Sequence, residues 1–309
     1  MSLEILGVGC VALDESLLVD DYPAEDAKIA IRERSRRLGG ITANALAAAA
    51  RLGARSGFAG TLGDDHASRR VLGELNRAGV DISLVRRQAD ARPIRSTIIS
   101  SGKTRSRTIL YDLACAVGAT PDWPPEDAIR GATVLLIDHF GMEGMLRAAK
   151  IAAAAGIPIV ADFESNERPD FGELLALVDH LILSCNFAQR IAGADNPARA
   201  ADLLWTNRRQ AVVVTCGREG CWFRAADSGP LPQHVPAIAV AVHDTTGCGD
   251  VFRGAYAAAL VQSSASSSLA RVRFATAAAA LRAAATTPAD RFPDRPAVDR
   301  LFAQTWPMP

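Results

Sequence analysis

The sequence predicts an α/β protein with a mainly parallel central sheet and a small separate β-sheet acting as a lid. Three observations carry this. From Thr133 to Thr215, short apolar runs alternate with helical patterns, as in βαβ units around a parallel sheet. Two strand-rich pieces, at about 15–36 and 92–111, stand outside that alternation and need a sheet of their own over one edge of the core. No linker rich in Pro, Gly or Ser divides the 309 residues. Residues 1–309 therefore read as one domain, a length that a large α/β unit accommodates.

The elements follow in chain order. Ile5–Val8 is a short apolar strand. Leu17–Val19 continues extended up to the turn at Asp20-Asp21-Tyr22-Pro23, and Lys28–Arg34 is extended again. Gly39-Gly40 breaks this run. A helix follows from Thr42 or Ala43 to Leu52, with Gly53 at its C-terminus. Ser56–Gly60 is a strand, and Ser68–Ala78 a helix stopped by Gly79. Ile94–Ser100 and Arg105–Tyr111 alternate around Ser101-Gly102-Lys103 as a hairpin. The alternating region then runs Val134–Ile137, Met142–Ala155, Ile157–Ala161, Gly172–Leu177, His180–Leu183, Ala198–Trp205 and Ala211–Thr215. Helices at about 250–262 and 269–285 close the chain, joined by the serine-rich Ser263–Ser268.

Composition excludes several classes of function. The 34 basic and 34 acidic residues balance, so bulk charge gives no reason to bind nucleic acid or a membrane surface. The run Arg32-Glu33-Arg34-Ser35-Arg36-Arg37 reads as a solvated strand face. The Ala275–Ala285 tract is broken by Arg282, and no apolar run reaches membrane-spanning length. The N-terminus shows no charged leader and cleavage site. Six cysteines, at 10, 115, 185, 216, 221 and 248, form no C-x-x-C pair. Reduced thiols in a cytoplasmic protein are expected, with no disulfide between Cys216 and Cys221. The five histidines show no metal-ligand spacing.

Chemistry concentrates in Asp244-Thr245-Thr246-Gly247-Cys248-Gly249-Asp250. Glycines just before a helix let backbone N–H groups and the positive helix end gather an anion, phosphate above all. A carboxylate beside such a site repels the anion. Asp250 therefore makes sense as a base that takes a proton from a hydroxyl attacking a phosphoryl group. Gly39-Gly40-Ile41-Thr42-Ala43-Asn44 repeats the logic of glycines before a helix, with Asn44 placed either to reach a ligand or to cap the helix. Asp14 has two readings as well: hydrogen bonds to vicinal sugar hydroxyls, or a turn cap.

These residues resemble the ribokinase-like (PfkB-type) carbohydrate kinases. The resemblance rests on Gly39-Gly40-x-x-x-Asn44 and on the Asp244–Asp250 motif. It extends through Gly9-x-x-x-x-Asp14, Leu52-Gly53-Ala54, Gly60-x-Leu62-Gly63-Asp64-Asp65 and Thr215-Cys216-Gly217-Arg218-Glu219-Gly220. Residues 13–26 and 106–111 are most similar to the ketohexokinase type of this family and, second, to the sulfofructose-kinase type.

The resemblance implies a three-layer α/β/α fold with a lid sheet, and an ATP-dependent kinase acting on a primary hydroxyl of a small ketohexose-like sugar. It implies Asp250 as general base and the amides of Gly247, Cys248 and Gly249 as the anion hole. Asp14, Gly40, Asn44, Arg107 and Asp138 would bind the sugar, with Asp26 a contact presented to a partner subunit's site. Asn186, Thr215, Gly217 and Gly220 would line the ATP site. Mg²⁺ would bridge ATP phosphates mostly through waters, and a monovalent cation such as K⁺ would sit near Asp244 and Thr246. A homodimer through the lid would cover its open edges.

Four departures stand out. Gln189 replaces a glutamate of an Asn-x-x-Glu pattern. Ile41 replaces an asparagine after the two glycines. Thr287-Pro288-Ala289-Asp290-Arg291 lacks a glycine turn. Cys248 replaces alanine, and a thiol at a helix N-terminus is expected to have a lowered pKa.

Other readings fail on context. Gly7-x-Gly9-x-x-Ala12 fits a dinucleotide-binding fingerprint, but that motif needs a helix at once, and Asp14–Asp20 reads as strand. Gly102-Lys103-Thr104 lacks the upstream glycine of a P-loop and lies in a hairpin. A sugar or nucleoside sensor on the same fold is the rival from a different class. Asp250 with both glycines argues against it.

Overall fold

Six runs of at most five residues form the parallel part of one large sheet. The computed structural model describes residues 2–104, 106–113, 117–262 and 267–307. In chain order, β1 (Ile5–Val8), β2 (Ala12–Val19) and β3 (Glu33–Gly39) precede α1 (Ile41–Arg51). Next come β4 (Ser56–Ala59), β5 (Thr61–Leu62), α2 (His66–Arg77), β6 (Arg86–Arg87), β7 (Ile94–Ser101) and β8 (Arg107–Asp112). The middle of the chain holds α3 (Glu126–Arg130), β9 (Val134–Ile137), α4 (Met142–Ala154), β10 (Ile159–Ala161), α5 (Phe171–Leu177) and β11 (His180–Ser184). It continues through α6 (Cys185–Ala192), α7 (Pro197–Leu203), β12 (Ala211–Thr215), β13 (Cys221–Ala225) and β14 (Gln233–Val235). Helices α8 (Cys248–Gln262), α9 (Ser268–Ala284) and α10 (Arg295–Thr305) complete it.

The large sheet has the order β14-β13-β12-β11-β10-β9-β1-β4. Strands from β12 to β4 are parallel, while β13 and β14 are antiparallel additions. Alternate residues of each strand point to opposite faces. Leu136, Val160, Ile182 and Val213 pack with α1, α8 and α9. Leu135, Ile137, Ile159, Leu181 and Val214 pack with residues of α4 to α7 on the other side. This is the three-layer arrangement expected.

The lid is a second sheet of order β3-β2-β7-β8. Its strands begin and end slightly away from the sequence expectation. β2 starts at Ala12, directly after β1. The strand expected at Lys28–Arg34 lies instead at Glu33–Gly39 and pairs Gly39 with Ala12. Its sequence, ERSRRLG, is polar on both faces, so no period of two marks its ends. Arg32 closes the loop before it with an ion pair to Asp20.

Other differences have similar causes. α1 and α2 begin one and two residues earlier than expected, the latter because the Asp65 side chain caps the Ser68 N–H. Gly53 follows the α1 C-cap rather than forming it. The strands β13 and β14 and the helices α3, α6 and α10 lie outside the elements expected, and all but α10 span eight residues or fewer. Arg105, Cys115 and Ser263–Ser266, named above, lie outside the described residues. The fingerprint alternative ends here as well, because a strand and not a helix follows Gly9. No helix among the described residues is long and apolar enough to cross a membrane.

Candidate active site

The centre of the site is built by two helices whose first turns meet. α1 begins after Gly40, whose φ of 94° lies in the left-handed region; a Cβ there would come within 2.7 Å of the Val11 backbone. α8 begins after Gly247, with φ of 77°. The two helices touch at Gly254, where an added Cβ would lie 2.1 Å from the Ala45 carbonyl oxygen. That closeness sets Asn44 against Asp250: Asn44 Nδ2 donates to Asp250 Oδ2 at 2.8 Å.

The other oxygen of Asp250 is held by its own helix. Arg253, one turn on, donates from Nη2 to Asp250 Oδ1 at 3.2 Å and also pairs with Asp162 Oδ2. Arg253 is buried, as is Asp162. Burial pushes Asp162 up to about 8, against the pull of Arg253. The negative charges of Glu164, Asp250 and Asp138 add to the effect of burial. Asp162 nonetheless keeps its ion pair with Arg253, which thus bridges Asp162 and Asp250. Sequence reasoning missed both residues. The three-residue spacing of Asp250 and Arg253, one helical turn, was the available signal.

A cleft of about 650 Å³ opens in front of this pair. Gly247, Cys248, Gly249 and Asp250 line it, as do Asp14, Gly40, Asn44 and Arg107. The helix starts at Cys248, two residues earlier than expected, and the Cys248 N–H makes a 3.3 Å turn bond to the Thr245 carbonyl. Asp14 sits inside β2 and is buried. Burial raises its carboxyl pKa, while Arg37, its β3 neighbour, and the Ser96 hydroxyl on β7 pull it down. It is thus a strand residue of the cleft floor and not a turn cap. Ile41 reaches the same cleft. Arg107 crosses from the lid to donate to Thr245 Oγ1 at 2.8 Å, linking lid and glycine loop.

The far end of the cleft is mostly apolar. Thr215, Gly217 and Gly220 lie there with Ile238, Val240 and Ala283. The last three come from the stretch after β14 and from α9, which the sequence did not mark. Gly220, with φ of 91°, lets the turn after β12 approach β14; a Cβ would lie 2.1 Å from the Val235 oxygen.

Behind the glycine loop, Asp244 carries two ion pairs. Arg37 Nη1 and Arg282 Nη2 each donate to its Oδ2 at 2.8 Å, and the Thr246 N–H donates to its Oδ1 at 2.8 Å. These partners hold the Asp244 carboxyl well below the usual carboxylate range, overcoming partial burial. The run Arg32–Arg37 is therefore only partly a solvated face.

Several expected site residues are placed elsewhere. Asp138 is fully buried and spent on the protein: it accepts from Cys10 N, Thr42 Oγ1 and Phe140 N at 2.7–2.8 Å. It ties β1, α1 and the end of β9 together and does not line the cleft. Asn186 is exposed in the first turn of α6 and does not line the cleft. Asp26, with φ of 60°, is exposed in the loop between β2 and β3, away from its own chain's cleft. Cys248 reverses the expectation for a thiol at a helix start: burial pushes it up to about 11, outweighing Arg282. Cys216 and Cys221 are free thiols.

Residues 5–295 match the profile of the pfkB family carbohydrate kinases. The chain belongs to this family. It is 24% identical over 277 residues to the ribokinase of Staphylococcus aureus, covering 85% of this chain and 88% of the relative. It is 25% identical over 274 residues to the 5-dehydro-2-deoxygluconokinase of Shouchella clausii, covering 82% of each. The structure of Arabidopsis thaliana ribokinase complexed with ribose and ATP shares the fold, with a TM-score of 0.81 and 24% identity, covering 98% of this chain and 99% of that one. As a pfkB-family carbohydrate kinase of ribokinase-like fold, the protein is an ATP-dependent phosphotransferase acting on a sugar hydroxyl.

In this kinase Arg253 is expected to act as a positioning residue. Arg253→Met should lower kcat about 100-fold while changing the KM for ATP only about twofold, with partial recovery in Arg253→Lys. Steady-state kinetics of the three proteins check this. Equal kcat in all three contradicts the role.

Proposed function

We propose that this kinase transfers the γ-phosphoryl group of ATP to a primary hydroxyl of a small ketohexose-like sugar, with Asp250 as general base. One observation carries the reading. Asp250 is gripped at both oxygens by Asn44 and Arg253, inside a cleft whose wall holds unpartnered buried polar atoms. These are Asn44 Oδ1, Asp162 Oδ1 and Arg253 Nε and Nη1. Buried polar groups seek partners, and a ligand dense in hydroxyls supplies them.

In this reading Asp14, Gly40, Asn44 and Arg107 bind the sugar, and Asp162 and Arg253 join them. Asp250 takes the proton of the hydroxyl as its oxygen attacks the γ-phosphorus. The new P–O bond forms as the bond to the ADP oxygen breaks, and ADP leaves with that electron pair. The glycine loop at Gly247–Gly249 and the α8 N-terminus favour the charge on the phosphoryl in transit. Mg²⁺ supplies charge neutralisation on the phosphates. Thr215, Gly217 and Gly220 hold the nucleotide at the apolar end. The relative from Shouchella clausii acts, by its name, on a keto-deoxy sugar acid. That class and sulfosugars are the nearest alternatives to a neutral ketose, since Ile41 offers the sugar no hydrogen bond.

Asp250→Asn should lower turnover at least about 10³-fold and leave ATP affinity within about threefold. The assay is ATP consumption over ketoses, aldopentoses, nucleosides, sulfosugars and keto-deoxy sugar acids. Undiminished turnover in the variant removes Asp250 from this role.

The lid also supports a homodimer. Leu18, Ile29, Ile31 and Leu110 are exposed apolar side chains on or beside it, and β3 and β8 are open edges. Pairing lids would cover them and bring Asp26 towards the partner's cleft. The five described cysteines are free thiols, in keeping with a cytoplasmic setting. Light scattering at micromolar concentration should give twice the chain mass. A monomer alone contradicts the dimer.

A further inference from the structure

The family resemblance implies a monovalent cation beside Asp244 and Thr246, and the residues there do not fit one. A cation needs a set of free oxygens, and every oxygen of Asp244 already accepts from the protein. Oδ2 takes Arg37 Nη1 and Arg282 Nη2, and Oδ1 takes the Thr246 N–H. The carbonyl oxygen takes Arg282 Nη1 at 3.3 Å, with the Cys248 thiol 3.9 Å away. Of the side-chain oxygens of these two residues, Thr246 Oγ1 alone is left without a partner, and one side-chain oxygen does not make a coordination shell.

The charges point the same way. Arg282, on α9, is buried, and Arg37, on β3, is nearly so. A third guanidinium, Arg291, is also buried and donates to the Leu38 carbonyl at 3.0 Å. Burial and the neighbouring Arg37 and Arg282 lower its pKa to about 10, while Asp14 and Glu74 oppose this. Two or three fixed positive charges repel an added cation at this range. Their place relative to the reaction is also specific. A Cβ on Gly247 would lie 4.0 Å from Arg282 Nε, so this guanidinium stands beside the phosphoryl-binding loop.

We propose that Arg282, braced by Arg37 through Asp244, supplies the fixed positive charge and the loop anchor that a bound monovalent cation would otherwise supply, so that turnover needs no such cation. The inference rests on phosphoryl transfer at the Gly247–Gly249 loop and on no particular sugar. His243 N and Asp244 N both donate to the Ala283 carbonyl, so α9 holds the loop through backbone and side chain together.

The test has two arms that fail separately from the sugar assignment. Full-length protein is assayed with the sugar found by screening, in KCl and in tetramethylammonium chloride at equal ionic strength. The rates should agree within about twofold, and an activation by K⁺ of about tenfold or more overturns the proposal. Crystals of the same protein soaked in thallium(I), a K⁺ stand-in with anomalous scattering, need no turnover. They should show no thallium at the Asp244 and Thr246 oxygens, and a peak there overturns the proposal. Arg282→Met should lower kcat about tenfold or more, with partial rescue in Arg282→Lys. Wild-type kcat in a folded Arg282→Met protein removes Arg282 from the role.

Discussion

The close contact of α1 and α8 at Gly254 is the constraint on which the site depends. The Ala45 carbonyl occupies the space a side chain at 254 would need. Only because the helices approach this far does Asn44, early in one, reach Asp250, early in the other, across 206 residues of chain. Both helices start after a glycine in the left-handed region, Gly40 and Gly247. Each start thereby brings a helix N-terminus to one cleft, with the Ala43 N–H given to the Cys10 carbonyl and the Cys248 N–H to the Thr245 carbonyl. Asp138 secures this from beneath by binding the end of β1 and the start of α1 at once.

Around that contact the structure balances charge tightly. Asp14, Asp162, Glu164 and Asp250 face one cleft. Left alone, so many carboxylates would repel both each other and a nucleotide. Arg253 serves Asp162 and Asp250, Arg37 serves Asp14 and Asp244, and Arg107 reaches over from the lid. Burial raises the Asp162 pKa and so weakens its charge. What remains is Asp250, with a guanidinium and an amide fixing its direction. Fixed dipoles and charges of this kind act without reorganising during the reaction.

Much of this was legible in the sequence. The glycine–helix motifs, the alternation from Thr133 to Thr215 and the two lid pieces are local patterns, and local patterns survive folding. Asp14, Asn44, Arg107 and Asp250 meet as expected. What sequence could not show was which polar groups the protein would spend on itself. Asp138 looked like a sugar ligand, but three protein donors consume it. Cys248 sat where a helix end lowers a thiol pKa, yet its burial outweighs the dipole. Asp244 read as a cation ligand, and two arginines distant in sequence occupy it. The polar strand β3 hid its ends for a related reason: its pairing partner fixes it, and its own pattern does not.

The most direct test of this account is the single-turnover rate of phosphoryl transfer in Gly254→Ala, compared with Gly73→Ala. A methyl at 254 meets the Ala45 carbonyl, whereas one at 73 meets only the tip of the Arg77 side chain at 3.6 Å. Pushing the helices apart should cost about 1–3 kcal/mol of stability. It should also slow transfer about 100-fold with ATP affinity largely kept, while Gly73→Ala behaves as the parent. A folded Gly254→Ala protein that transfers phosphoryl at the parent rate would contradict the account.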